Sequence, residues 1–230
     1  MMNPATEFLD LQHYQDPAYQ EGHGDKQSIF RRRAEALWSE SQGGRLLDAG
    51  CSTGKFLEAA RERGFEVEGI EPSKYGAEVA CKKGLKVLCG LLSDLNAGAY
   101  DIVTSNHVLE HIVQPVEFMK EIRRVLKSDG FACIEVPGEF DNLPYMLNSL
   151  MDTIKTRSTF SPHINYFDIM SLRNLFQKSG LHLYKWYTYT LPIHPEKFSA
   201  RLRILPNNLV RCIADVIKKG RNIVCYLKRS

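Results

Sequence analysis

The sequence predicts an α/β fold, with about seven mostly parallel strands, helices on both faces, and extra helices covering the carboxyl edge of the sheet. Three observations support this prediction. Short apolar segments alternate with amphipathic ones, which is typical of a parallel sheet wrapped by helices. A glycine turn at residues 50–54, GCSTG, joins the first strand to a helix. The chain of 230 residues is long enough to bury one sizeable core.

The first half of the chain alternates regularly between helix and strand. The helix at residues 25–41 is indicated by Phe30, Ala34, Leu37 and Trp38, which recur with helical spacing. The elements expected after it are a strand at 45–49, a helix at 56–63 closed by Gly64, a strand at 65–71, a helix at 73–83 and a strand at 85–89.

The second half of the chain is less regular. The expected elements are a strand at 100–105, a helix from Pro115 to 127, a turn at Asp129-Gly130, a strand at 131–136, a helix near 145–155, a helix between Asp168 and Gly180, and strands at 181–190 and 222–228. Because no repeat or low-complexity linker interrupts it, the sequence predicts one domain, 1–230. It carries an N-terminal arm at 1–41 and insertions at 138–167 and 191–221.

Composition narrows the classes of partner and compartment. The net charge of +3 gives no case for nucleic acid as a partner. The N-terminal residues lack the pattern of a secretion signal, and no apolar run reaches the roughly 20 residues of a membrane helix. The six cysteines have no metal-ligand spacing, which favours reduced thiols. We therefore expect a cytoplasmic protein.

The glycine turn and the end of the second strand indicate a ligand. The dinucleotide fingerprint is absent because Ser52 replaces its second glycine, and Phe56 after Gly54-Lys55 excludes a P-loop. A tight turn without a ligand is the alternative for the turn alone. Glu71, at the tip of the second strand, can accept both hydroxyls of a ribose. Together these features predict a nucleoside that lacks phosphates and carries a polar head near the glycines.

Five segments resemble motifs of the class I S-adenosylmethionine-dependent methyltransferases. They are LLDAGCSTGKF, VEGIEPS, YDIVTSNHVLEHIVQP, VLKSDGFACIEVP and HINYFDIMSLRNLFQKSGL. The resemblance covers residues 46–183 and implies a Rossmann-like sheet with S-adenosyl-L-methionine as cofactor. The last segment is similar to a block of bacterial members that modify sugars and other small molecules.

The resemblance also implies which residues bind the cofactor. They are Asp48, Gly50, Cys51, Ser52, Gly54, Glu71, Pro72, Leu92, Asn106 and His107. Asp48 and the turn backbone would hold the ammonium group, and Glu71 the ribose. The chain departs from the family at Leu91-Leu92, where many relatives place an acid that binds adenine. Asp94 or backbone carbonyls are the alternatives for that contact.

Histidines are the candidates for a general base. A base is needed only if the acceptor is a hydroxyl or a similar weak acid. His111 follows the fourth strand and is the first candidate; His163 is the second, and both are predicted to be catalytic. His107 would share a helix face with His111 if that segment is helical. We expect no metal, because a metal site needs ligands beyond His107 and His111 and His163 is the only other clear candidate; Glu110 would orient His111 or pair locally.

The expected activity is methyl transfer to a small molecule, with a hydroxyl of a sugar, polysaccharide precursor or secondary metabolite as acceptor. Alternatives are a methyltransferase of lipids or quinone precursors at a membrane surface, a non-catalytic S-adenosylmethionine-binding protein, and a nicotinamide oxidoreductase, which the missing fingerprint disfavours. The basic apolar segment 197–219 is predicted to cover the acceptor pocket, with peripheral membrane contact as its alternative. Tyr14, Tyr19 and His23 would close over the donor or form a docked tail.

Overall fold

The computed structural model describes residues 27–138, 163–189 and 222–230. Within these ranges seven strands form one sheet in the order β3-β2-β1-β4-β5-β7-β6. The strands are β1 (Arg45–Ala49), β2 (Glu66–Glu71), β3 (Val87–Cys89), β4 (Tyr100–Asn106), β5 (Leu126–Pro137), β6 (Leu181–Tyr189) and β7 (Asn222–Arg229). Strands β1 to β5 pair in parallel, while β7 is antiparallel to both β5 and β6. This confirms the predicted Rossmann-like sheet.

Helices cover both faces of the sheet, as predicted. They are α1 (Gln27–Ser41), α2 (Lys55–Arg63), α3 (Lys74–Lys82), α4 (Pro115–Val125) and α5 (Ile169–Lys178). One apolar cluster lies beneath α4 and α5, and a second lies beneath α1, α2 and α3. Alternate side chains of each strand point to opposite faces, so the central strands contribute to both clusters. The buried sheet therefore holds its strand ends at fixed positions.

The position of β1 explains where a ligand can enter. It pairs with β2 on one side and β4 on the other, so the connections leaving the two neighbours run in opposite directions. In open parallel sheets such a switch point leaves a crevice at the carboxyl ends of the strands. The loops after β1, β2 and β4 surround this crevice.

One predicted element was wrong in detail. Asp129-Gly130 was expected to be a turn, but β5 runs without interruption from Leu126 to Pro137. The strand bulges instead: Leu126 pairs with Tyr100, whereas Phe131 pairs with Ile102. A β-carbon at Gly130 would lie 2.7 Å from the Asp101 carbonyl oxygen, so glycine permits the close approach of the two backbones.

Several predictions lie outside the described residues. They are residues 1–26 of the N-terminal arm, with Tyr14, Tyr19 and His23, the helix near 145–155, and the segment 197–219. Among the described helices, none is long and apolar enough to cross a membrane.

Candidate functional site

The turn after β1 is held tightly against β2. The N–H groups of Gly50 and Cys51 both donate to the Ile70 carbonyl, at 2.8 and 3.3 Å, and Gly54 N–H donates to the Cys51 carbonyl at 2.9 Å. Gly50, Ser52 and Gly54 adopt left-handed backbone conformations with φ of 83°, 50° and 77°. Ser52 thus adopts a backbone conformation that favours glycine.

Gly50 is required first by the protein's own packing. A β-carbon there would lie 2.4 Å from Cγ2 of Val108. The first contact of a side chain at Gly50 would therefore be with Val108. Any substitution therefore disturbs the fold as well as the crevice.

Glu71 at the end of β2 ties the two ligand-facing loops together. Its Oε2 accepts the Ser52 N–H at 2.7 Å, and its Oε1 accepts the Ser73 N–H at 2.8 Å. Burial raises the pKa of Glu71 even though both backbone hydrogen bonds lower it. Each carboxylate oxygen has a second lone pair. The side chain can therefore organise the loops and accept ribose hydroxyls as well.

Asp48 forms the polar floor of the crevice. Its Oδ1 accepts the Thr104 hydroxyl at 2.7 Å and the Asn106 amide at 3.3 Å. Only 3% of Asp48 is exposed, and burial raises its pKa to about 6 against the hydrogen bonds from Thr104 and Asn106 and the charge of Arg33. Asn106 Oδ1 is buried and has no hydrogen-bond partner among the described residues. A carboxylate beside an unsatisfied carbonyl oxygen suits a cationic amine.

The remaining predicted cofactor residues line or support this edge. Cys51 is buried, and burial raises the pKa of its thiol. Leu92 is buried in the same apolar cluster as Ala49 and Ile70, and its carbonyl accepts from Arg124 at 2.7 Å. Pro72 is half-buried beside Glu71. Asp94 accepts the Leu91 N–H at 2.8 Å, so its Oδ2 already has a local partner.

His107 lies between two carboxylates rather than on a helix face with His111. Its Nε2 is 3.0 Å from Glu135 Oε1, and its Nδ1 is 3.3 Å from Glu110 Oε1. Desolvation opposes the charge, but the two carboxylates outweigh it and raise the pKa of His107 to about 9. The His107 side chain is 42% exposed, so its protonated ring is open to solvent. The helix expected to align His107 with His111 is only a short 3₁₀ turn, Leu109–His111.

Glu135 at the end of β5 was missed by the sequence reasoning. It pairs with Arg33 of α1, contacts His107, and accepts the Tyr189 hydroxyl at 2.6 Å. Despite desolvation, the Arg33 charge and the contacts with His107 and Tyr189 hold the pKa of Glu135 at about 2. The signal was present in the sequence, because Glu135 interrupts the otherwise apolar run FACIEVP. Its partners could not be identified from spacing.

Glu110, His111 and His163 form what we call the histidine cluster. The rings of His111 and His163 meet edge-to-face with centroids 4.9 Å apart. His111 Nε2 lies 3.9 Å from Glu110 Oε1. One ligating atom from each of the three residues lies within 4.8 Å of the others. The structure thus brings together His111 and His163, the two histidines that the sequence predicts to be catalytic, although they are 52 positions apart.

Backbone hydrogen bonds explain why His163 meets His111. The N–H groups of Ile164 and Asn165 both donate to the Glu110 carbonyl at 3.0 Å. The Asn165 side chain donates to the Ile112 carbonyl at 2.6 Å. The segment carrying His163 is therefore fixed against the turn that carries His111.

The chain is similar to several known proteins. The chain matches the family described as "Methyltransferase domain" over residues 20–185. It is 28% identical over 155 residues to the C-methyltransferase NovU of Streptomyces niveus, covering 64% of this chain and 35% of that protein. It is 32% identical over 106 residues to the ubiquinone biosynthesis O-methyltransferase of Bordetella avium, covering 42% and 44%. The chain thus spans less than half the length of either relative.

The fold is also shared with solved structures. A SAM-dependent methyltransferase from Archaeoglobus fulgidus superposes with a TM-score of 0.64 at 18% identity, covering 92% of this chain and 98% of that one. At this identity the likeness supports the fold alone.

Proposed function

The chain belongs to the methyltransferase domain family, and we propose that it transfers a methyl group from S-adenosylmethionine to a hydroxyl of a small-molecule acceptor. The observation that carries the proposal is a pair of acceptors beside the glycine turn and Glu71: the buried Asp48 carboxylate, which accepts the Asn106 amide N–H, and the unsatisfied Oδ1 of the same Asn106. These groups complement an amino acid joined to a ribose. When bound, S-adenosylmethionine supplies a methyl group whose bond to a positively charged sulfur breaks as the acceptor oxygen attacks.

Each residue of the crevice has a distinct part in donor binding. Asp48 and Asn106 Oδ1 would accept from the ammonium group. Glu71 would accept from the ribose hydroxyls. The His107 cation would face the donor carboxylate. Holding both reactants in place supplies much of the acceleration in such displacements, at best about 7–11 kcal/mol.

The histidine cluster would contact the acceptor and take up its hydroxyl proton. It follows β4, adjacent to the strand ends that form the donor crevice, and it contains side chains able to deal with a hydroxyl proton. Its side chains suit the acceptor hydroxyl that the resemblance to small-molecule and sugar-modifying members favours. His111 and His163 are accordingly the proposed catalytic residues.

A sugar or secondary-metabolite hydroxyl is the first acceptor class, because the HINYF block resembles that of small-molecule and sugar-modifying members. A quinone-precursor phenol is the second, favoured by the similarity to the ubiquinone biosynthesis O-methyltransferase.

Calorimetric titration with S-adenosylhomocysteine tests the donor site without knowledge of the acceptor. We expect saturable binding with one molecule per chain, and no comparable binding of NADH. Binding of NADH in preference would reject the proposal in favour of an oxidoreductase.

A further inference from the structure

We propose that the histidine cluster binds one divalent transition-metal cation of the zinc class. Binding of the cation rests on the geometry of Glu110, His111 and His163 alone. Only its use in catalysis rests on the proposed function.

The separations within the cluster suit a shared ion. Ligands about 2.1 Å from a tetrahedral zinc ion lie about 3.4 Å from one another. The three ligating atoms lie within 4.8 Å of one another, and His111 Nε2 is already 3.9 Å from Glu110 Oε1. Side-chain rotations that move each ligating atom by less than about an ångström would therefore bring all three atoms into one coordination sphere.

Glu110 provides an independent indication of a cation-binding site. It is 1% exposed, and neither of its carboxylate oxygens has a hydrogen-bond partner among the described residues. Burying a carboxylate without such partners is costly unless a cation accompanies it. The contact of His107 Nδ1 with Oε1, at 3.3 Å, accounts for one oxygen only. Each carboxylate oxygen also has a second lone pair, so Glu110 can retain His107 and still bind an ion.

The main chain holds the ligands in place. The Glu110 carbonyl accepts two N–H groups, from the residues immediately after His163, and the Asn165 side chain binds the Ile112 carbonyl. The two ligand-bearing segments therefore cannot separate without losing three hydrogen bonds. Such preorganisation lowers the cost of assembling a metal site.

The ligand types select the ion. Two imidazoles and one carboxylate suit zinc and other first-row transition metals, and three protein ligands leave an open position. Magnesium prefers oxygen ligands in octahedral geometry and would bind weakly here. At the open position an acceptor hydroxyl oxygen would lose its proton to water more readily. The cation would then replace the imidazole of His111 as the group that promotes loss of the hydroxyl proton.

Cobalt and zinc are suitable probes for the metal-free protein, prepared with a chelator and without an affinity tag. We expect one equivalent of Co²⁺ to bind, giving a visible absorption band that Zn²⁺ abolishes and Mg²⁺ does not. Thermal unfolding in the presence of Zn²⁺ should shift upward, because a ligand bound only to the folded state stabilises it.

Variants locate the site. Glu110→Gln and His163→Ala should each weaken Co²⁺ binding by at least about 100-fold. The matched control is His182→Ala, since His182 is exposed on β6 and should leave binding unchanged. Circular dichroism checks folding, and Glu110→Gln keeps the shape of the side chain if His163→Ala does not fold.

Two results would overturn the proposal: no saturable Co²⁺ binding, or binding equally strong in Glu110→Gln, His163→Ala and the wild type. Titration of the metal-free protein with S-adenosylhomocysteine separates this failure from failure of the proposed function. Intact donor binding and metal-independent turnover would leave the methyltransferase assignment standing, with His111 acting directly as the base.

Discussion

Replacing Asp48 with Asn should stabilise the donor-free protein while weakening donor binding. The substitution removes the charge, but an Asn oxygen can still accept from Thr104 and Asn106, so the two hydrogen bonds are preserved. The folded-state pKa of Asp48 is raised from 3.8 to about 6, so ionising it at neutral pH costs about 3 kcal/mol of folding free energy. That cost is absent below the unfolded pKa and appears as pH rises through about 6.

Donor binding should change in the opposite direction. Hydrogen bonds from an ammonium group to a charged acceptor contribute about 1.5–3 kcal/mol, so Asp48→Asn should raise the dissociation constant about 10- to 100-fold. Wild-type affinity should also fall as pH drops below about 6, by up to about tenfold per pH unit, because Asp48 must lose a proton to bind the ammonium. The variant should show no such slope from this group.

Denaturant unfolding and calorimetric titration with S-adenosylhomocysteine, both across pH, measure the two effects on the same preparations. Asp101→Asn is the matched control at the opposite end of β4. Desolvation raises the pKa of Asp101, but hydrogen bonds from Lys127 and the Arg45 N–H outweigh it and lower the pKa overall. The Asp101→Asn variant should therefore lose stability and keep its donor affinity. An Asp48→Asn protein that is less stable than the wild type yet binds donor equally well would refute the role of Asp48.

Four further predictions follow from the same contacts. Glu71→Ala should weaken donor binding about 10- to 100-fold by calorimetry, and Glu71→Gln, which can accept only one of the two loop N–H groups through its carbonyl, should fall between it and the wild type; equal affinity in all three would exclude a ribose contact. Gly50→Ala should lower the free energy of unfolding by about 1–3 kcal/mol. Adding Val108→Ala to the same chain should recover part of that loss, because Cγ2 of Val108 is the nearest obstacle; no recovery would mean that the loss comes from backbone strain at residue 50 alone. Arg33→Met should cost up to about 3–5 kcal/mol by removing the guanidinium paired with buried Glu135 and leaving His107 beside it, whereas Lys185→Met, at a more exposed ion pair with Glu40, should cost less than about 1 kcal/mol; equal losses would contradict the importance of burial. His111→Ala should lower turnover at least about 100-fold with donor affinity changed only a few-fold, and His163→Ala should lower it less where His111 acts directly as the base and as much where the two residues hold a cation; near-normal turnover of His111→Ala would remove the histidine cluster from catalysis.

Local sequence features were sufficient to predict most of the sheet. Helical spacing identified α1, Gly64 and Gly180 marked helix ends, and Pro115 marked a helix start, because each of these signals acts within a few residues. The bulge in β5 was not visible, since Asp129-Gly130 has the composition of a turn and only pairing with β4 extends the strand through it.

The donor site was predictable in its residues and less so in their interactions. Asp48 and Glu71 were identified from their places at strand ends. That Glu71 binds both loops, and that Gly50 packs against Val108, depends on contacts between segments. The Arg33–Glu135 pair joins α1 to β5, and the histidine cluster joins residues from two loops. No local pattern encodes such distant pairings, so these features required the fold.

The most direct test of methyl transfer is incubation of the protein with S-adenosylmethionine bearing a deuterated methyl group and a metabolite extract, followed by mass spectrometry. The proposed function predicts that at least one small molecule gains the labelled methyl group on oxygen, in an amount that falls at least about tenfold with Asp48→Asn. Donor binding without any labelled product, across extracts that support known methyltransferases, would contradict the enzymatic assignment and favour a non-catalytic binding protein.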